Sequence, residues 1–423
     1  MPDKHILMVE DSPFFASVVR RKLEEEGGFR VDCVTSYKEA KAFLDAQGKG
    51  LFAALLDLHL PDSPRGEVVD YFVRQGIPSI VFTGEFSEGV RDVVMSKNVV
   101  DYVLKEGPDS LNEILAALER LRRNREVKIL VVDDSASART LVSDLLRTHL
   151  YQVLEAEDGE QALTMLRQHA DIRLMVTDFS MPGLSGVELV REVRSFRPRQ
   201  RLAIVGLSAE NSPLISARFI KSGANDFLRK PFLVEEFHCR IRQNMEILEY
   251  LDTIKRMAEN DYLTGLPNRY HFIRRARTTH AEAVKRGYPL QAVILDLDHF
   301  KRINDQYGHN VGDQVLKNFA LRLSDRFGRN GLVCRYGGEE FALLLPGVST
   351  AQVRPGLEAF LQEVAGASVP TEKGEVAYTA SAGLADTPGE SLEDMLKDAD
   401  TMLYQAKQSG RNQLACSVCP TPE

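Results

Sequence analysis

The stretch Ile6–Glu24, ILMVEDSPFFASVVRRKLE, returns in altered form at Ile129–Leu146 as ILVVDDSASARTLVSDLL. Each reads as a short apolar strand, an acidic pair and an amphipathic helix. The echo continues downstream. LLDLHLPD holds Asp57 and MVTDFSMPG holds Asp178; SIVFTGE ends a strand at Thr83 and AIVGLSAE ends one at Ser208; DYVLKEG carries Lys105 and DFLRKPF carries Lys230. Taking Asp11 with Asp134 first, these counterparts lie 123, 121, 125 and 125 residues apart, so the first part of the chain carries one domain twice.

Short β-branched runs alternating with helical patterns predict, in each copy, a parallel sheet covered by helices on both sides. The strand C-terminal ends of such a sheet share one crevice. Glu10 and Asp11 end the first strand, and Asp57, Thr83 and Lys105 end later ones. Three carboxylates that close repel unless a cation joins them, and all-oxygen ligation favours Mg²⁺. A cation and a lysine together let a carboxylate act as nucleophile towards phosphorus, and a Thr or Ser hydroxyl registers the phosphoryl group.

On these motifs residues 1–245 resemble the receiver domains of two-component response regulators. The resemblance implies that Asp57 and Asp178 are phosphoacceptors and that Asp11 and Asp134 are metal ligands assisted by Glu10 and Asp133. It makes Thr83 with Lys105, and Ser208 with Lys230, the readers of the phosphate, and Tyr102 and Phe227 the switch aromatics. It also implies a histidine kinase or phosphotransfer protein as partner. One departure stands out: the second copy has the family's Lys230-Pro231, whereas the first has Lys105-Glu106, which predicts a less rigidly posed loop there.

LVEEFHCRIRQNMEILEYLDTIKRMAEN, after Phe232, has neither Gly nor Pro and predicts a helical stalk over 233–260. Ile241, Met245 and Leu248 follow helical spacing; Ile247, Leu251, Ile254 and Ala258 continue it and suit either a two-chain seam or a plain amphipathic helix lying on its own domain. Upstream, NEILAALERLRRNRE reads as the last helix of the first copy.

Beyond the stalk, the strand LQAVILDLDHF holds Asp296 and Asp298, and RYGGEEFALLL, from Arg335, puts two glycines and two glutamates at the tip of a hairpin. Adjacent strands presenting carboxylates to one point predict a divalent cation between them. Gly337 and Gly338 are expected to give the turn positive φ and let a bulky ligand approach. Lys407 and Arg411, four apart in AKQSGRN, are expected on one helical face, where they would meet a triphosphate. Cation plus phosphate-binding groups suggests nucleotide chemistry.

DYLTGLPNR, DLDHFKRINDQYGHNVGD, RYGGEEF and LYQAKQSGRN, in that order, resemble the GGDEF diguanylate cyclase domains over 261–415. The resemblance implies Mg²⁺ (Mn²⁺ possible) held by Asp296 and Glu340 with the Leu297 carbonyl. It implies a catalytic part for Glu339, guanine read by Asn304 and Asp313, phosphate contacts from Phe300, Lys301, Lys407 and Arg411, and a homodimer joining two GTP into cyclic di-GMP. Asp298 and Asp305 read instead as turn or helix-start residues. An RxxD pair that binds inhibitory product in many relatives falls here on Gly328 and Gly331, so weak or no product inhibition is expected.

The fold class is therefore α/β: two doubly wound (βα)5 receivers with parallel sheets over 1–126 and 127–245, then an α+β cyclase domain with a mainly antiparallel sheet and a flexible tail from 416. Lys+Arg 53 against Asp+Glu 61, a net charge of -8, gives no footprint for nucleic acid. No apolar run is long enough for a membrane span and the N-terminus is acidic where a signal peptide is basic, which reads as cytoplasmic. Five scattered cysteines make no disulfide framework, and the CxxC of Cys416 and Cys419 lacks further zinc ligands. The alternatives are a non-catalytic module binding GTP or cyclic di-GMP, disfavoured because Glu339 and Glu340 are both present, and a transcription regulator, disfavoured by the missing helix-turn-helix pattern. A cyclase accepting ATP is disfavoured by Asp313.

Overall fold

Alternate residues of the opening strand serve two different cores. Ile6 and Met8 pack with Val19, Leu23 and Leu118, while Leu7 and Val9 pack with Val68 and Phe72. A strand apolar on both faces belongs inside a sheet covered twice. That is what the computed structural model shows over the residues it describes: 4–47, 50–84, 89, 94, 97–105, 109–209, 213–371, 374–386 and 391–417.

The chain divides into two compact units, Met1–Leu251 and Asp252–Glu423. The first unit contains two five-stranded parallel sheets. One is built of β1 (His5–Val9), β2 (Arg30–Val34), β3 (Ala53–Asp57), β4 (Ser79–Thr83) and β5 (Asp101–Leu104), in the order β2-β1-β3-β4-β5. The other has β6 (Lys128–Val132), β7 (Gln152–Ala156), β8 (Ile172–Asp178), β9 (Ala203–Ser208) and β10 (Asp226–Arg229). Its order, β10-β9-β8-β6-β7, is the first order read from the opposite edge. In both, the helix after the first strand is started by a serine. Ser12 accepts from the Phe15 amide with Pro13 at the first helical position, and Ser135 accepts from the Ala138 amide. Each acidic pair is thus fixed between a strand end and a capped helix.

The connector helix runs over Val234–Glu259. Phe237, Ile241, Met245 and Leu248 are buried against β6, β8 and β9 residues. Its outer face exposes Ile247, Tyr250, Ile254 and Met257, each more than half exposed, at 3-4-3 spacing. The expected seam needs one correction: Leu251 is half-buried, following the inner stripe one turn on from Leu248, whereas Ile247, Ile254 and Ala258 are exposed and are joined there by Tyr250 and Met257.

The second unit is organised on β11 (Leu290–Leu297), all eight residues of which are buried. Around it lie β12 (Leu332–Arg335), β13 (Glu340–Pro346), a separate hairpin of β14 (Ser368–Thr371) and β15 (Gly374–Ala377), β16 (Ala380–Ala385) and β17 (Leu414–Cys416). The sheet order is β12-β13-β11-β16-β17, antiparallel except for the parallel β16–β17 pair, so the sheet is mixed. Val293, Leu295 and Leu297 face Phe319, Phe341 and Phe360, and Ala292 and Ile294 face Phe272, Met395 and Leu403. Cys416 belongs to β17, opposite Leu384, and does not begin a loose tail; Cys419 lies outside the described residues. Among the described residues no helix is long and apolar enough to cross a membrane.

Candidate functional site

The antiparallel register of β11 and β13 sets Asp296 directly opposite Glu340. The turn between β12 and β13 then carries Glu339 past the end of β11, where the Leu297 amide donates to the Glu339 carbonyl at 3.3 Å. Asp296 is 5% exposed, and the Lys407 ammonium lies 2.8 Å from its Oδ1. Burial pushes the Asp296 carboxyl up, Lys407 pulls it back and Asp298 adds to the rise. Glu339 is also raised, by burial first and then by Asp296 and Glu340. A carboxylate set this crowded, with one ammonium in ion-pair contact among the described residues, suits an added hard cation. Glu340 also lines a cleft of about 870 Å³ with Ile294, Tyr336, Arg269 and Lys397.

Two expectations about this site need correction. Neither Gly337 nor Gly338 has positive φ. A Cβ at Gly337 would stand 2.6 Å from Glu340 Oε2 and displace the free end of that side chain, whereas a Cβ at Gly338 would meet nothing. Nor do Lys407 and Arg411 share a helical face. The helix Leu392–Gln408 ends first, and Arg411 sits in a left-handed turn with φ 64°. Its charge nevertheless bears on Asp296.

Phe300 and Lys301 open the helix Phe300–Tyr307, Phe300 buried and Lys301 exposed. Asn304, from that helix, and Asp313, from His309–Phe327, flank the bend at Gly308, where φ is 88°. Gly312 makes the approach possible, because any side chain there would run into Asn304 Oδ1. Asp305 is exposed well inside the first of these helices, not at its start. Asp298 lies in the turn that precedes this helix, as expected of a turn residue, while His299 occupies the cap position.

Sequence reasoning missed Arg335. Its guanidinium donates to Asp261 Oδ1 at 3.0 Å and to the Gly338 carbonyl at 2.7 and 3.1 Å, tying the glutamate turn to the first residues of DYLTGLPNR. The signal was in the quoted motif, beside the glycines. Thr379 and Ser381, which donate to Asp298, carry no sequence signal at all.

In the first parallel sheet Lys105 bridges Glu10 Oε2 and Asp57 Oδ2, both at 2.7 Å. Ligand oxygens of Glu10, Asp11 and Asp57 lie within 4.8 Å of one another, Asp11 at the exposed rim. Glu10 is raised, chiefly by burial, against the pull of Lys105. Burial lowers Lys105, but its bonds to Asp57 and Glu10 outweigh that and leave it raised. In the second sheet Lys230 bridges Asp133 Oδ2 at 2.8 Å and Asp178 Oδ1 at 2.6 Å, and Asp134 is exposed. Thr83 and Ser208 end β4 and β9, buried; Tyr102 and Phe227 are half-buried at the same place in β5 and β10. The Lys230-Pro231 peptide is cis. Glu106, on which the expected loop difference rests, lies outside the described residues.

The family model described as "Diguanylate cyclase, GGDEF domain" matches residues 258–413, and that of the response regulator receiver domain matches 129–242. Response regulator PleD of Caulobacter vibrioides is 30% identical over 300 residues, 67% of this chain and 64% of PleD, so the match spans less than two thirds of that relative. Diguanylate cyclase VdcA of Vibrio cholerae is 31% identical over 274 residues, 63% of this chain and 79% of VdcA. A crystal structure of a two-component system response regulator/GGDEF domain protein is 38% identical, with a TM-score of 0.50, covering 58% of this chain and 99% of its own. With the acidic register of β11 and β13 in one unit and a receiver-type sheet in the other, the chain belongs to the family of response regulators that carry a GGDEF diguanylate cyclase domain.

Proposed function

We propose that the protein is a phosphorylation-regulated diguanylate cyclase that joins two GTP molecules into cyclic di-GMP with release of two pyrophosphates. The observation that carries this reading is the placement of Asp296 opposite Glu340 with Glu339 at the turn and Lys407 against the pair. Asp296, Glu340 and the Leu297 carbonyl would hold Mg²⁺, which when bound neutralises phosphate charge and polarises the attacked phosphorus. The remaining work falls to the chain. Asn304 and Asp313 hold guanine by donors and acceptors on its edge. Phe300 and Lys301 at their helix start, with Lys407 and Arg411, take the β- and γ-phosphates. Glu339, its carboxyl raised by burial and then by Asp296 and Glu340, would accept the proton of a ribose 3′-hydroxyl.

Each 3′-oxygen must attack the other nucleotide's α-phosphorus in line, so one domain supplies half of the reacting pair. Two chains are required, and the exposed Ile247, Tyr250, Ile254 and Met257 face is suited to holding them. The sheet of β1–β5 is a second receiver, by its strand order and its Glu10, Asp11, Asp57 and Lys105 cluster. Phosphoryl transfer from a histidine kinase or phosphotransfer protein to Asp57, Asp178 or both then shifts the dimer equilibrium. The test is purified protein with GTP and Mg²⁺, with and without an acyl phosphate, and identification of the product. Cyclic di-GMP formed by wild type and lost in Glu340→Ala supports the reading; a GTP complex without turnover would leave the binding-module alternative.

A further inference from the structure

Asp298 stands two residues beyond Asp296 and is 5% exposed. Among the described residues no cation is in ion-pair contact with it. Its charge is met instead by dipoles: Thr379 Oγ1 donates to Oδ2 at 2.8 Å, Ser381 Oγ to Oδ1 at 2.7 Å, and the Asn412 backbone amide to Oδ2 at 3.0 Å. Its own amide donates to the Thr379 carbonyl at 2.9 Å, so the residue is fixed from both ends. A buried carboxylate needs such a donor set to satisfy its oxygens.

The third donor lies in a strained segment. Gly410, Arg411 and Asn412 have φ of 114°, 64° and 48°, and two of these three residues carry side chains. L-residues with a side chain occupy that region only when their surroundings impose it. On the helix side the turn is held by the Arg411 amide to the Ala406 carbonyl at 3.1 Å and by Gln413 Nε2 to the same oxygen at 2.9 Å. On the sheet side the Ala382 amide donates to the Gln413 carbonyl. Between these anchors, Asp298 is the group that holds the Asn412 amide.

We infer that Asp298 is a positioning residue: by gripping the Asn412 amide it holds the left-handed turn that delivers the Arg411 guanidinium to the triphosphate end of the nucleotide site. The inference rests on the cyclase reading for the identity of the nucleotide. It explains why this carboxylate is kept apart from the ammonium that reaches Asp296. An acid needed for backbone geometry must not compete for the cations of the site.

The experiment is calorimetry on the full chain with Mg²⁺ and two probes, a non-hydrolysable GTP analogue and GMP. Asp298→Asn is expected to weaken the triphosphate about tenfold, the scale of one charge-assisted contact, while GMP binding stays within about twofold. Arg411→Ala is expected to give the same selective loss, and the double variant no further loss. Ser381→Ala takes one donor from the acid and leaves the turn residues untouched, so it should show a smaller loss of the same selectivity, and it serves if Asp298→Asn does not fold. Equal loss of both probes, additivity with Arg411→Ala, or unchanged binding in Asp298→Asn overturns the inference. A wild-type protein that binds neither nucleotide overturns the cyclase reading, and this inference with it.

Discussion

Arg335 contributes through two different attachments. One edge of its guanidinium faces Asp261 and another the Gly338 carbonyl, so a single side chain fixes the turn bearing Glu339 to the beginning of the domain. Arg335→Ala should lower the stability of this unit by about 2 kcal/mol, the scale of hydrogen bonds to a charged group, read as a lower thermal midpoint. Arg335→Lys should recover the pairing with Asp261 but not the two-point hold on the carbonyl, and therefore only part of the loss. Gly331 and Gly328 matter in the opposite way. A Cβ at Gly331 would run into the Leu345 side chain, and one at Gly328 would stand 2.5 Å from the Ser324 carbonyl oxygen. Added cyclic di-GMP is thus expected to leave the initial rate unchanged. Introducing Gly328→Arg with Gly331→Asp should fail to install inhibition; a variant that becomes inhibited with an unchanged melting curve would contradict this.

At the scale of elements, the connector helix has two jobs on two faces. Its inner stripe completes the second parallel-sheet core, and on that side His238 stacks on His149 with ring centroids 3.8 Å apart. Neither Nε2 has a hydrogen-bond partner among the described residues. Burial lowers both rings; His238 and the Arg120 and Arg242 charges push His149 further down, and Arg242 helps bring His238 to about 4. Asp101, Glu235 and Tyr151 complete the surroundings. Both rings therefore fold neutral, while the unfolded chain protonates near pH 6.5. The unfolded state binds more protons as pH falls from about 6.5 towards about 4, so stability drops through that window and is intact above it, by up to about 1.4 kcal/mol per pH unit per ring. Thermal midpoints measured from pH 7 to 4.5 should fall for wild type and fall less for His238→Phe, which keeps a ring without the basic nitrogen.

What could be read beforehand and what could not divides along the same elements. Strands buried on both faces announce themselves as unbroken apolar runs, and Asp296 and Glu340 were legible because one closes such a run and the other opens one. The partners of Asp298 were not, because they lie 83 and 114 residues away and meet it only through the register of β11, β16 and β17. The end of the last helix before Arg411 was hidden for a related reason. Nothing in AKQSGRN forbids another turn of helix except the glycine, and the left-handed geometry after it is imposed from across the sheet. Leu251 falls out of the expected seam because the inner stripe, set by packing, decides which side chains remain outside.

For the whole molecule, the central consequence of the proposed chemistry is that activity depends on two chains. Cyclic di-GMP formation per chain should rise with protein concentration below the dimer dissociation constant and become constant above it. Ile254→Glu, which puts a charge on the exposed stripe, should move that transition to higher concentration by at least about tenfold, measurable by sedimentation alongside rate. Asp57→Asn with Asp178→Asn should abolish the response to acyl phosphate while leaving basal turnover; a double variant that still responds would remove the receivers from the regulatory scheme.

All three acidic clusters share one detail: a lysine ammonium within 2.8 Å of a buried carboxylate, Lys105, Lys230 and Lys407 in turn. Because a counterion native to the chain already stands at each place, loading becomes a swap and not an act of assembly. With a cation held by these carboxylates, the lysine would be left free to meet a phosphate. The affinity for such a cation would then be the difference between two neutralised states, which favours ready release of what is bound.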